Sequence, residues 1–383
     1  MNKKLLIPFL LLLLIVVSCS KMYDNIEKYA GETVYPGKFD TLIGRVGFER
    51  IELDFMKDRS RIPASQMKLG KATKSVFEYD GKTVTVDTLT SWISITGLSE
   101  SKLYRIKAYT IDDNGNKSIP QEIALIPYTE GEKENLTISP PKITATPDAA
   151  ALSWPGGLSS FLLDYYGLKY SYKDKTGVLH QGTLNEKSNI VMQGLKSGEI
   201  NPIDISFKVI PKMNGIPILD TVWLDEKIEV SVPATADPYY GQEQSLGAIL
   251  TANKENGGGP EGNEGSTKVM DFDPRTKFLI GGYASDFWIQ QELFAPSVVN
   301  AYLLSTGDDA PGRDPKSWRL EASQNGTQWT VLDTQTNQLF SQRTTAYIYT
   351  INNSTAYKFY RLAITENNGN DLFQLGEWRL LLK

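Results

Sequence analysis

Cysteine and histidine are almost absent from this sequence of 383 residues. It contains one cysteine, Cys19, and one histidine, His180. A lone cysteine excludes a disulfide within the chain, and these two residues are too few for a zinc site of the Cys/His type. A Ser-His-Asp hydrolase would require His180 as its base. Because His180 lies in the polar segment LHQG, we predict a solvated loop histidine rather than a catalytic one.

An excess of positive charge is also lacking. The chain has 40 Lys and Arg residues against 45 Asp and Glu residues, which gives a formal net charge of −5. Nucleic acid requires a basic face, so this balance argues against a nucleic-acid partner. Hydrophobic residues make up 40% and charged residues 22%, which indicates globular structure. The length predicts two to four domains of roughly 100 to 150 residues each.

Long stretches of helical periodicity are missing as well, and short β-rich runs separated by Gly, Asn, Asp and Pro take their place. In Glu49–Phe55, for example, apolar residues alternate with polar ones. The segment DDNGNKS (Asp112–Ser118) predicts a hairpin turn, because Asn-Gly tolerates positive φ at low cost. The sequence therefore predicts an all-β protein.

The first residues carry a different pattern. Lys3 and Lys4 precede an apolar stretch, Leu5–Val17, that is too short to span a bilayer with ease, and VVSC then ends at Cys19. This pattern resembles a bacterial lipobox. The resemblance implies a signal peptide at 1–18, lipidation of Cys19, a tether at 19–37 and a lipid-anchored, surface-exposed protein of the bacterial outer membrane. A secretory signal with an incidental cysteine and an uncleaved anchor are the alternatives.

One order of signals occurs twice before residue 233. A strand with a Gly-Leu turn, then Tyr-x-Ile-x-Ala-x-Tyr and an Asn-Gly turn, occupies Trp92–Ser118, and a similar order recurs over Ala151–Pro217. It resembles the fibronectin type III sandwich, which implies two such domains, at 38–130 and 138–233, joined by a charged and proline-rich linker. The first domain with its tether also resembles a domain of unknown function found in lipoproteins of glycan-degrading gut anaerobes.

The C-terminal part, residues 245–383, has landmarks of its own. They are WIQQEL (Trp288–Leu293), RDPKSW (Arg313–Trp318), SQNGTQW (Ser323–Trp329), YKFYRL (Tyr357–Leu362) and LGEW (Leu375–Trp378). Their order resembles the coagulation factor V/VIII type C (discoidin-like) domain, which implies a jelly-roll sandwich with a galactose-binding-like fold. The predicted fold class is therefore all-β, with two tandem fibronectin type III-like sandwiches followed by a discoidin-like jelly-roll sandwich.

Five further residues of this part have predicted structural roles. Four tryptophans alternate with polar neighbours, which predicts core positions for Trp288, Trp318, Trp329 and Trp378. Arg361 lies between apolar neighbours, so we expect a buried ion pair or hydrogen bonds to the backbone.

The segment KVMDFDPRT (Lys268–Thr276) gathers oxygen donors. Two carboxylates and a threonine hydroxyl within one short loop are the hard ligands that calcium requires. Discoidin-like carbohydrate modules often hold a structural calcium at the matching loop, closed by a carboxylate from the last strand. Carried over to this sequence, the implied ligands are Asp271, Asp273, Thr276 and Glu377, with the backbone carbonyls of Lys268 and Gly376. The alternative is that Arg275 or Lys277 pairs with the loop carboxylates in place of an ion.

Three loops are expected to meet at the ligand-binding end of such a sandwich, namely Gly281–Asp286, Ser305–Trp318 and Thr365–Gln374. Sugar recognition requires side chains that donate to and accept from vicinal hydroxyls, and an aromatic ring that covers the apolar face of the pyranose. The candidate ligand-binding residues are Tyr283, Asp308, Asp309, Arg313, Asn367, Asn368, Asn370, Asp371 and Phe373, with Tyr283 and Phe373 as the aromatic platforms. Asp314 and Pro315 are predicted to fix the turn of the second loop.

These patterns together predict a non-catalytic lipoprotein that binds a glycan or polysaccharide through its C-terminal domain, with calcium as a structural cofactor. It would act in a polysaccharide-capture system, as part of an outer-membrane protein complex. The alternative is a structural or adhesive surface lipoprotein whose C-terminal domain binds a protein partner. A glycosidase would need a pair of positioned carboxylates. The signal, the tether and three β modules use the whole sequence and show no such pair, so no enzyme activity is predicted.

Overall fold

A computed structural model describes residues 34–185, 189–234, 239 and 242–383. Cys19 and the predicted signal peptide lie outside the described residues. The chain divides into two compact units. The first unit consists of the chain up to Asn135 together with the short segment Ile218–Asp220. The second unit comprises Leu136–Pro217 and Thr221–Lys383.

The first unit contains an antiparallel β sandwich. Its strands are β1 (Ile43–Gly47), β2 (Arg50–Asp54), β3 (Lys74–Tyr79), β4 (Lys82–Val86), β5 (Trp92–Thr96), β6 (Tyr104–Ile111) and β7 (Gln121–Leu125). One sheet has the order β1-β2-β5 and the other the order β4-β3-β6-β7. Ile51, Leu53 and Phe55 are fully buried, as the alternation of the sequence predicts. Phe55 stacks on both Phe39 and Phe77, and its ring centroid lies 4.2 and 5.4 Å from theirs.

A short helix, α1 (Glu130–Glu134), follows this sandwich in the segment that the sequence predicts as a linker. It forms because Thr129 and Glu132 make a capping box around its first turn. Over the described residues, no helix combines the length and the apolar character that a bilayer span requires.

The second unit begins with a sandwich of the same strand order. Its strands are β8 (Lys142–Thr146), β9 (Ala149–Ser153), β10 (Leu163–Lys173), β11 (Leu179–Leu184), β12 (Ile190–Gln193), β13 (Ile200–Met213), β14 (Ile216–Pro217) and β15 (Val222–Ser231). The sheets are β12-β9-β8 and β11-β10-β13, the latter extended by β14 and β15 on β13. Trp154 packs edge-on against Phe207 in the core.

His180 lies in strand β11, so its predicted placement in a loop is wrong. It forms a hydrogen bond with Asp174, with 2.9 Å between Nε2 and Oδ2. Its ring also stacks on Tyr172, with centroids 5.0 Å apart. The polar residues around His180 lie on an edge strand of the sheet. One face of such a strand is solvated, so it is rich in polar residues, as a turn is.

The C-terminal sandwich completes the second unit. Its strands are β16 (Ile249–Ala252), β17 (Phe278–Gly281), β18 (Phe287–Val298), β19 (Ala301–Ser305), β20 (Pro315–Ser323), β21 (Thr330–Gln335), β22 (Ala346–Thr350), β23 (Ala356–Asn367), β24 (Leu372–Leu375) and β25 (Trp378–Leu381). A five-stranded antiparallel sheet, β16-β18-β23-β20-β21, and a three-stranded sheet, β22-β19-β25, enclose the core, and β17 pairs with β24. The predicted all-β fold class is confirmed.

Two of the four tryptophans predicted for this core lie elsewhere. Trp318 and Trp378 are fully buried. Trp288 and Trp329 are only partly buried, because they enclose Arg361 on the outer face of the five-stranded sheet. The guanidinium carbon lies 4.3 Å from the Trp288 ring centroid and 3.8 Å from that of Trp329. Among the described residues, Arg361 makes these cation–π contacts and one side-chain hydrogen bond, to Gln290, in place of the predicted ion pair or backbone hydrogen bonds.

Candidate functional site

The loop between β19 and β20 presents two carboxylates to solvent. Asp308 and Asp309 each accept a hydrogen bond of 2.7 Å from the Lys277 ammonium group. Arg313 lies 3.3 Å from the other oxygen of the Asp309 carboxylate. The Lys277 hydrogen bond lowers the pKa of Asp308. The structure thus brings three of the predicted ligand-binding residues together at the loop tip.

Buried polar groups hold this tip from below. Asp314 is 1% exposed and pairs with the Arg343 guanidinium group. The fully buried Gln374 donates from Nε2 to Asp314 at 3.0 Å and to the Asp309 carbonyl at 2.7 Å. Arg343 also donates to that carbonyl, at 3.0 Å. Ala310 takes a positive φ of 34°, a rare conformation for alanine, which these hydrogen bonds maintain.

The third predicted loop contributes structure more than contact surface. Asn367 donates to the Asn370 and Leu372 carbonyls, and Asn368 donates to the Asp314 carbonyl. The Asn370 side chain accepts from the Leu372 amide. These three side chains have turn-forming roles, because amide side chains satisfy backbone groups in tight turns, and their contact with a ligand stays a prediction. Asp371 remains exposed.

The two predicted aromatic platforms lie against each other. Phe373 is fully buried and packs with Phe287, so it offers no ring face to a ligand, and this prediction is wrong. Tyr283 stacks on Phe373 at 5.8 Å, and its hydroxyl donates to the Ile364 carbonyl at 3.3 Å. Burial raises the pKa of Tyr283 to about 12. Tyr283 is half-buried, so the exposed part of its ring remains available to a ligand.

The predicted calcium loop contains one close carboxylate pair. Glu377 is buried, and neither of its carboxylate oxygens has a hydrogen-bond partner within the described part of the chain. Burial, followed by repulsion from Asp271, raises the pKa of Glu377 well above its usual range. The Thr276 hydroxyl donates to both Asp271 oxygens at 3.0 Å. Two adjacent carboxylates repel each other, and among the described residues the Glu377 carboxylate has no cationic partner of its own, so Asp271, Thr276 and Glu377 fit a bound cation.

Other predicted calcium ligands are placed differently. Arg275 takes the Asp273 carboxylate and lowers its pKa to about 2, so Asp273 follows the alternative that the sequence left open. The ammonium group of Lys268 lies 3.4 Å from Asp271. Gly376 packs where a Cβ would approach Ser305 to 2.4 Å. In the described residues, no group of three or more His, Cys, Asp and Glu side chains converges on one point.

Three residues that support the loop between β19 and β20 were not identified from the sequence. Lys277, Arg343 and Gln374 hold the tip loop, but each is separated from it by more than 25 positions. The sequence suggested Lys277 only as a partner for the carboxylates of the predicted calcium loop, Lys268–Thr276. Arg343 lies in the polar segment between β21 and β22, where nothing in the local pattern marks it. Only the pairing of distant strands brings these residues together.

Comparison with known proteins gives one family and several partial likenesses. Over 81 residues the chain is 40% identical to a peptide-N(4)-(N-acetyl-beta-glucosaminyl)asparagine amidase of Arabidopsis thaliana, which is 20% of this chain. The chain spans only 11% of the length of that relative.

Two solved structures are similar to 38% and 36% of the chain, respectively. One is an F5/8 type C domain from Bacteroides fragilis, which is 14% identical; the match covers 99% of that domain, with a TM-score of 0.34. The other is chitosan-binding module 1 of a chitosanase/glucanase from Paenibacillus sp. IK-5, 22% identical, covered to 97% with a TM-score of 0.30.

The family match is the most extensive of these likenesses. Residues 19–211 match the family DUF4998, described as a domain of unknown function. This range starts at the predicted lipidation site, contains the first sandwich and ends within strand β13 of the second. It covers half of the sequence, and the chain therefore belongs to the DUF4998 family.

Proposed function

We propose that the protein binds a glycan, without changing it chemically, at the rim of its C-terminal sandwich. The rim is the surface that Asp308, Asp309, Arg313, Asp371 and Tyr283 form. The observation that carries this proposal is the tip loop, in which Asp308, Asp309 and Arg313 reach solvent while Gln374 and Arg343 hold the backbone beneath them. A rigid rim of charged and amide groups can bind vicinal hydroxyls with little loss of conformational entropy on binding. Asp371 and the edge of Tyr283 extend the same surface.

Calcium is proposed as a structural ion of this sandwich. Asp271, Thr276 and Glu377 would hold it, with the carbonyls of Lys268 and Gly376. When bound, it would neutralise two adjacent carboxylates that otherwise repel each other. The ion would then stabilise the junction between the loop Asp271–Thr276 and the last strand.

The cellular setting is also a proposal, and it rests on the sequence. A lipid on Cys19 would hold the protein on the bacterial outer membrane, facing outward, as a component of a polysaccharide-capture complex. No catalytic role is proposed, because the rim carboxylates form ion pairs with Lys277 and Arg313 and are not placed as a pair across a ligand cleft.

Affinity gel electrophoresis of the full chain with a panel of polysaccharides tests the rim. We expect at least one polysaccharide to retard the protein, and the double variant Asp309→Ala, Arg313→Ala to weaken that binding at least about tenfold, since charged hydrogen bonds contribute about 1.5 to 3 kcal/mol each. A matched control is Lys74→Ala, Asp87→Ala, which removes an exposed ion pair of the first sandwich. No retardation by any polysaccharide, together with co-purification of a protein, would instead favour the adhesive alternative.

A further inference from the structure

An exposed aromatic ring stands at the junction of the second and C-terminal sandwiches, far from the rim. Phe294 in strand β18 is 46% exposed, and the neighbouring Leu293 is 1% exposed. The register between β18 and β23 shifts between Glu292 and Ser297, so Phe294 lies in a β-bulge. Bulges of this kind re-aim a side chain out of the regular sheet.

The bulge is fixed by hydrogen bonds and does not depend on Phe294 for packing. Lys358 donates to the carbonyls of Leu293 and Phe294, and the Tyr360 hydroxyl donates to the Ser297 carbonyl at 2.7 Å. Phe294 makes no ring stack in the described part of the chain. The hydrogen bonds of the bulge therefore keep the Phe294 ring exposed, although contact between an apolar ring and water is unfavourable.

Phe294 lines a hollow of about 360 Å³ whose other walls combine polar side chains with apolar ones such as Val191 and Leu246. The second sandwich contributes Asp148, from the turn between β8 and β9, and Gln193, from the end of β12. The C-terminal sandwich contributes Gln244 and Ser297. The volume is within the range of small-ligand sites, about 300 to 1,000 Å³, and such sites prefer domain junctions.

Two of the polar side chains that line this hollow are uncommitted, whereas Thr146, Gln244 and Ser297 each donate to a backbone carbonyl. Asp148 and Gln193 have no side-chain hydrogen bond in the described part of the chain, although the backbone of both is paired. Glu243 also lines the hollow but is buried in an ion pair with Arg379, at 2.6 Å. Asp148 therefore leaves the hollow with one unpaired negative charge. This charge disfavours uronic acids and sulfated sugars.

We propose that this hollow is a second carbohydrate site, which takes one or two rings of a neutral saccharide. The Asp148 carboxylate and the Gln193 amide can bind adjacent hydroxyls, and the exposed ring of Phe294 lies beside them, which are the groups that sugar recognition requires. None of the rim residues lines the hollow, so the site is independent of the rim. The proposal gives a binding role to the junction between the second and the C-terminal sandwiches.

Saturation-transfer NMR on the full-length protein tests this site. The probes are the methyl glycosides of mannose, galactose, glucose and N-acetylglucosamine, with galacturonate as the anionic probe. We expect at least one neutral glycoside to receive saturation in the wild type and in the rim variant Asp309→Ala, Arg313→Ala. Phe294→Ala should weaken its binding at least about tenfold, because the stacking contact is lost.

The controls separate binding from folding. Phe161→Ala removes an aromatic ring that is 71% exposed on the second sandwich, away from the hollow, and should leave the signal unchanged. Phe294→Ala should keep the wild-type melting curve, because the ring packs little. Asp148→Asn should raise the response to galacturonate, which a structural role of Asp148 would not do.

The outcomes also distinguish this site from the rim. Loss of binding in the rim variant, with full binding in Phe294→Ala, would overturn the second site and support the rim. Loss in Phe294→Ala alone would support the second site, and the rim is then tested independently by the polysaccharide gels. Absence of saturation for every neutral glycoside with the wild type would overturn the proposal.

Discussion

Arg361 shows how much of the C-terminal sandwich depends on one charged side chain. Its guanidinium group lies between Trp288 and Trp329, and its Nε is buried without a hydrogen-bond acceptor in the described residues. Burial lowers the pKa of Arg361, so the two indole rings and one bond to Gln290 must offset the loss of hydration. A planar cation fits between two rings better than an ammonium group does.

We therefore expect Arg361→Lys to destabilise this sandwich by about 1 kcal/mol and Arg361→Ala by about 2 kcal/mol or more. Differential scanning calorimetry would show both as lower melting temperatures of the second unit. Arg319→Lys, on the adjacent strand and more exposed, serves as the control and should change little, because it keeps a cation beside the buried Glu321. Equal effects of all three substitutions would argue against the stack as the source of stability.

Single residues were also where the sequence predicted least. The amides of Asn367, Asn368 and Asn370 could be read as ligand contacts or as turn formers, since both roles use the same donors and acceptors. Phe373 next to polar residues suggested exposure, but a strand places alternate side chains on opposite faces, and this one faces the core. The tip of the rim was predicted better, because Asp308 and Asp309 occur in a turn with Gly and Pro.

Among the structural elements, the loop Lys268–Thr276 carries the clearest testable consequence. The buried Glu377 and the partly buried Asp271 form a carboxylate pair that a cation would relieve. Removal of calcium with a chelator is expected to lower the melting temperature of the second unit and leave the first unit unchanged. Saturation at 100 times the dissociation constant contributes about 2.7 kcal/mol, which corresponds to several degrees for a domain of this size.

The substitution Glu377→Gln provides the control for this loop. It removes the buried charge, so the variant should lose its response to calcium while the chelator-treated melting temperature equals or exceeds that of the wild type. Asp273→Asn should retain most of the response, because the Asp273 carboxylate pairs with Arg275. A chelator that changes no transition in the wild type would contradict the ion site.

Turns and strands followed the local sequence more closely than did the sites. The predicted turn at Asp112–Ser118 forms because Asp112 accepts from the amides of Asn114 and Asn116 while Gly115 takes a φ of 81°. The bulge that exposes Phe294 was not predicted. Its register shift arises from the pairing of β18 with β23, whose paired residues are 58 to 77 positions apart in the chain.

At the scale of the whole molecule, the order of three β modules was predictable because each carries landmarks in a fixed sequence. The hollow beside Phe294 was not, since it combines residues from two modules that show no common local pattern. The DUF4998 match covers residues 19–211, which include the first sandwich and most of the second.

Anchoring is the prediction that concerns the intact protein in its cell. If Cys19 is acylated, Cys19→Ala should move the protein from the membrane fraction to the soluble fraction or stall it as an uncleaved precursor. Fractionation followed by immunoblotting and metabolic labelling with a fatty acid measures both effects. Substitution of the neighbouring Ser20 by Ala should change neither. Unlabelled wild-type protein would exclude the lipid anchor.

The lone imidazole of His180 also gives the intact chain a built-in spectroscopic label. One histidine yields one pair of ring-proton resonances, and the face of Tyr172 at 5.0 Å displaces them by its ring current. When the second sandwich melts, those two lines must return to the frequencies of a free side chain. The unfolding of the middle module can thus be followed by proton NMR without isotopes, while its neighbours remain silent in that window.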